Sequence, residues 1–189
     1  MSIFPAITPG SVLDRLLQRD HRNDLGPGRP NESARGALES LTIEHLFSGA
    51  RVRAPLMARC CLAGLWLLHD FLDESHTISQ GIETASGSYW HGIMHRREPD
   101  YGNAKYWFRR VGRHPAMQPL WQQVQDRRDE FQGTRELAAW LDEDTWDPFR
   151  FVDLCEQAAR TEGSLATACR ELAWLEWRAL FGYCHAAAT

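Results

Sequence analysis

The chain of 189 residues is 43% hydrophobic and 24% charged, the composition of a folded protein with a sizeable core rather than of a disordered one. Its formal net charge of −4 excludes bulk attraction to nucleic acid or anionic lipid as the principal activity. No run of about 18 apolar residues occurs, so no membrane-spanning helix is expected.

The first ten residues lack the basic flank and apolar core of a signal peptide. Residues 12–20 read as a short amphipathic helix with Val12, Leu13, Leu16 and Leu17 on one side. Gly26, Pro27, Gly28, Pro30 and Gly36 mark residues 21–37 as a loop. A helix over 41–47 follows, with Ser40 as its cap and Gly49 as its stop. Pro55 suits the first turn of the next element. From there Leu56, Cys60, Ala63, Leu67 and Phe71 recur at three- and four-residue steps, which predicts one long buried helix from 55 to about 79. Gly81 and Gly87 break the pattern. Ser86 or Ser88 then caps a helix through Arg97, and Pro99 blocks its continuation. Further helices are expected over 103–111, 119–131, 135–141, 149–160 and 164–184, the last with a packing stripe of Leu165, Ala168, Leu172, Leu175 and Ala179. No alternating β-branched run appears.

The expected fold is therefore all-α, a single bundle of about six to eight helices around a long buried central helix. Residues 1–40 form an N-terminal arm with a short helix and a Gly/Pro-rich loop, and 41–189 the helical domain. The five cysteines, Cys60, Cys61, Cys155, Cys169 and Cys184, lack the spacing of a disulfide framework. Reduced core thiols and a cytoplasmic location are the expectation. Trp140, Trp174 and Trp177 are expected in the core or at an interface. An exposed aromatic on the last helix would favour a homodimer.

Residues 86–115 stand apart. They hold three of the four tyrosines and carry five Arg and one Lys against one Glu and one Asp, a basic window on an acidic chain. Lys105 is the only lysine beside 20 arginines, which hints at a role for an ammonium head. Arginine forks match phosphate and carboxylate, so Arg96, Arg97, Lys105 and Arg109 are candidate contacts for a small anionic ligand. Tyr89, Trp90 and Tyr106 are candidates to stack on it.

Helical spacing adds a possible reactive centre. His91 and His95 are four apart and Glu98 three further on, so all three share a helix face. His69, Asp73 and His76 repeat the same 0, 4, 7 spacing one helix earlier. Two antiparallel helices would bring these stripes face to face. Imidazole and carboxylate in such numbers suit a divalent transition metal: zinc, iron or manganese. In this reading His69, His76, His91 and His95 hold the metal, and Asp73 and Glu98 ligate it or move protons. The Asp73-x-x-His76 step has the form that helix bundles use at di-metal sites.

The His69-Asp70 dipeptide also resembles that of the HD-domain phosphohydrolases. The resemblance implies an all-α metalloenzyme with His45, His69 and Asp70 as ligands, together with a later Asp such as Asp126 or Asp129. Three readings stand at this point. One is a metal-dependent hydrolase or oxygenase acting on a small anion, and a second an HD-like phosphohydrolase. The third is a non-enzymatic helical module that binds a small anion or a protein. No membrane partner is expected, and nucleic acid is disfavoured.

Overall fold

The computed structural model describes residues 7, 8, 10–18, 23–131 and 133–189. Among these every regular element is a helix: α1 (Val12–Leu17), α2 (Glu32–Glu39), α3 (Ile43–Leu46), α4 (Pro55–Leu68), α5 (Leu72–Gln80), α6 (Ala85–Arg97), α7 (Tyr101–Val111), α8 (Met117–Asp126), α9 (Arg135–Leu141), α10 (Pro148–Ala158) and α11 (Ser164–Ala188). A 3₁₀ turn, Arg128–Glu130, follows α8. The all-α expectation holds, with more and shorter helices than expected. None of the helices in the described residues is long and apolar enough to cross a membrane.

Helix α4 is the centre of the bundle and packs against α5, α6 and α11. Pro55 opens it, where a missing N–H costs nothing. Ala58, Cys60, Cys61, Ala63 and Leu65 are fully buried along it. Gly64 lets two neighbours approach. A β-carbon there would lie 2.8 Å from the Trp90 ring of α6, and the Gly64 carbonyl accepts a 2.9 Å hydrogen bond from Trp177 Nε1–H of α11. All five cysteines are buried free thiols.

The expected single helix over 55–79 is two helices. Asp70 sits in the left-handed region at φ +63°, which ends α4 and restarts the chain as α5. Short polar side chains tolerate that region when something holds them. Here Asp70 Oδ1 accepts from Arg97 Nη2 at 2.6 Å and from Asn23 Nδ2 at 2.6 Å. A tertiary ion pair thus overrides a continuous helical pattern.

The expected loop over 21–37 contains α2, whose Ala34 and Leu38 face the core at a four-residue step while Gly36 lies outside. Residues 21–22, like 19–20 at the end of the first expected helix, lie outside the described residues. The cap of α3 is Thr42, which accepts from His45 N–H at 3.2 Å, and not Ser40, which closes α2. Thr84 rather than Ser86 or Ser88 caps α6, accepting from Gly87 N–H at 3.0 Å. The five stripe residues of α11 are buried as expected, as are Trp140 and Trp177, whereas Trp174 is half-buried and stacks on Trp177. Among the described residues the exposed large hydrophobics are Leu56 and Tyr106, neither on α11.

Candidate metal centre

Helices α5 and α6 form a hairpin across a four-residue turn. Gly87 permits its closeness, because a β-carbon there would lie 2.2 Å from the Ile82 carbonyl oxygen. The hairpin sets His76 of α5 against His91 and His95 of α6. Ring centroids are 4.6 Å apart for His76–His91, 4.7 Å for His91–His95 and 5.3 Å for His76–His95. One nitrogen from each of the three rings lies within 4.8 Å of the others. His91 and His95 are buried and His76 is half-buried.

Hydrogen bonds surround the cluster. Ser79 Oγ meets His91 Nδ1 at 2.9 Å and the His76 carbonyl oxygen at 3.3 Å; when the hydroxyl proton goes to the carbonyl, the oxygen accepts from His91 Nδ1–H and the lone pair of His91 is left on Nε2. The Glu98 carboxylate likewise accepts from His95 Nδ1–H at 3.1 Å, and Asn103 Nδ2 donates to the lone pair on His95 Nε2 at 3.2 Å. A carboxylate behind a histidine in this way fixes the tautomer and raises the basicity of a metal ligand.

Both imidazoles of α6 are held neutral. Burial, reinforced by His95 and His76, pushes the pKa of His91 down to about 3. Burial also lowers that of His95, although Glu98 pulls the other way. Neutral imidazole is the form that binds a metal. A tetrahedral zinc with Zn–N of about 2.0–2.1 Å holds its nitrogens about 3.4 Å apart, so the three rings must draw in by about 1 Å to seat the ion. His76 is the least buried of them. Helix α7 closes the site. Trp107 packs on His91 at 4.1 Å between ring centroids, and the Arg110 guanidinium lies 5.0 Å from the centre of the Trp107 ring.

Three of the four expected ligands thus converge, and His69 does not join them. The break at Asp70 leaves His69 at the end of α4, out of phase with α5. Its Nε2–H donates to the Leu16 carbonyl at 3.0 Å and its Nδ1 accepts from Asn31 Nδ2 at 3.0 Å. Asp73 is exposed in the first turn of α5 and is not among the converging ligands. Glu98 is a partner of His95 rather than a member of the ligand group.

The expected anion contacts are also placed elsewhere. Arg96 is buried in an ion pair with Glu176 and lies 4.4 Å over the Phe151 ring. Arg97 is spent on Asp70 and on the carbonyls of Gly26 at 2.7 Å and Pro27 at 3.3 Å. Lys105 pairs with Asp153 of α10. Arg109 is exposed, and Tyr106 is 46% exposed beside Trp107. Tyr89 and Trp90 are core residues, packed on Phe108 and Trp177 respectively. The helical turn carries 96 and 97 round α6 from the face that holds 91 and 95, so the basic window divides into structural and surface charges.

The residues needed for the HD-like arrangement do not assemble either. His45, Asp126 and Asp129 are exposed, Asp70 is engaged by Arg97, and Asp126 accepts from Gln122. His76, His91 and His95 form the one group of potential metal ligands among the described residues.

Sequence reasoning missed Ser79, Asn103 and Arg110. A signal for Asn103 and Arg110 was present: with Trp107 they follow the same 0, 4, 7 spacing as the two His stripes. Compared with protein-family models, with curated proteins and with solved structures, the chain matches none.

Proposed function

We propose that His76, His91 and His95 hold one divalent transition metal, and that the protein uses it to activate water for hydrolysis of a small anionic substrate. The observation that carries this reading is the convergence of three imidazoles, two of them buried and held neutral. Three protein ligands leave a coordination position for water, whose pKa a zinc ion lowers to about 7. The donor set favours zinc among the candidate metals. It is all nitrogen, and no carboxylate belongs to the group, whereas oxygen-activating iron sites use two histidines and a carboxylate. That tilts the choice from oxygenase to hydrolase. Arg110 supports an anionic substrate. It lies on the face of α7 that carries Trp107 and lines a surface pocket with Glu83, Thr84 and Ser88, one turn of α6 from His91.

Zinc-reconstituted, tag-free protein assayed with p-nitrophenyl phosphate and p-nitrophenyl acetate tests the reading. Zinc-dependent turnover, abolished in His76→Ala, is the expected result. Bound zinc with no turnover of either ester would overturn the hydrolytic part and leave a metal-binding module. One observation favours a non-enzymatic module whose histidines only hydrogen-bond in the interior: the lone pair of His95 is already occupied by Asn103.

A further inference from the structure

The Asn103 contact has a chemical meaning of its own, which rests on the metal reading above. A histidine needs a lone pair to bind a metal, and Glu98 confines the lone pair of neutral His95 to Nε2. Asn103 Nδ2 sits on that nitrogen at 3.2 Å. An amide N–H and a metal ion cannot share one lone pair. Among the described residues His91 has no such competitor on Nε2, since Ser79 takes the opposite side of the ring at Nδ1. We infer that Asn103 is an internal competitor for the metal, a cap that must leave His95 before the third ligand can bind.

The contact is built to be exchanged. Asn103 stands in the first turn of α7 and is half-buried, so its amide can turn to water. The fold uses its backbone and not its side chain to start the helix: Asn103 N–H donates to the Asp100 cap at 3.1 Å. Removing the side chain therefore leaves the helix start intact. Once displaced, the amide would stay beside His95 Nε2, so Asn103 is a positioning residue with two states, one capping the ligand and one turned to water.

The test is zinc affinity, measured by competition with a chromophoric chelator on apo wild type and Asn103→Ala. The variant is expected to bind zinc about two- to tenfold more tightly, the worth of one hydrogen bond no longer given up. Unchanged or weaker affinity in Asn103→Ala, with wild type binding zinc, would overturn the cap and leave the metal reading standing. No zinc bound by wild type would overturn both. A second readout needs no metal. The ¹⁵N resonance of His95 Nε2 in the apo protein should move downfield in Asn103→Ala, as a nitrogen losing a donated hydrogen bond does. An unmoved resonance contradicts the contact.

Discussion

Four histidines of this protein are equally deep, at 2–5% exposure, and they fall into two kinds. His69 and His114 are structural. His69 bridges the Leu16 carbonyl and Asn31, tying α1 and the start of α2 to the end of α4. His114 Nδ1 accepts from Ala116 N–H at 3.2 Å, so its Nε2–H must donate to Ser86 Oγ at 3.0 Å. An imidazole that donates to a serine cannot take its proton, which makes Ser86–His114 a brace and not a nucleophile with its base. His91 and His95 are of the other kind. They touch each other and a third imidazole, where three charged rings would repel. Burial alone does not distinguish the two kinds, and nor does an occupied nitrogen, since His95 like His69 has a partner on both. Convergence with other imidazoles does.

The largest effects separating the two kinds are expected in the partners that set the tautomers. Ser79→Ala and Glu98→Gln should each weaken zinc binding by about 10–100-fold while the fold persists, as loss of such supporting hydrogen bonds does at other metal sites. Chelator competition alongside circular dichroism would check this, and wild-type affinity in both variants would remove the distinction. Next is stability. His69→Ala strands the Asn31 amide and the Leu16 carbonyl, and should cost about 1–3 kcal/mol in urea denaturation. A stable His69→Ala protein would show that the bridge is idle.

A smaller effect is pH-dependent. Burial pushes the pKa of His114 down to about 4 in the folded protein, below the ordinary histidine value of about 6.5. The unfolded chain therefore binds a proton that the folded one refuses. This contribution to stability is complete above about pH 6.5, is lost as pH falls towards 4, and changes by at most about 1.4 kcal/mol per pH unit. Melting of the metal-free protein between pH 7 and 4.5 should be less pH-dependent in His114→Gln than in wild type, and equal slopes would refute the assignment. The smallest effect is expected for Arg110→Ala, with unchanged zinc content and several-fold weaker phosphate inhibition of the zinc-dependent esterase. Equal loss in Arg109→Ala would show that the charge acts at a distance rather than through Trp107.

Much of the fold was legible because helices here are punctuated by local chemistry. Pro55 and the Arg135–Leu141 segment stand where capping and propensity put them. The break at Asp70 was not legible, because it depends on Arg97 and Asn23, 27 and 47 residues away in sequence. The same long-range pair explains the misplacement of His69. A 0, 4, 7 spacing marks one face only while the helix continues, and this one stops between the first residue and the second. The shared face of His91 and His95 was legible from their spacing, but their pairing with His76 was not, since the connection from Gly81 to Gly87 could orient two helices in several ways. The arginines were not. Periodicity turns Arg96 and Arg97 away from His91 and His95, but only the packing of α11 shows that Glu176 was waiting for Arg96.

The central claim is that the α5–α6 cluster binds metal and the other buried histidines do not. Elemental analysis of tag-free wild type, His69→Ala and His91→Ala, each purified identically and reconstituted with zinc, tests it most directly. About one equivalent of zinc in wild type and in His69→Ala, with none in His91→Ala, is the result this account predicts. No metal in wild type, or metal retained by His91→Ala, would contradict it.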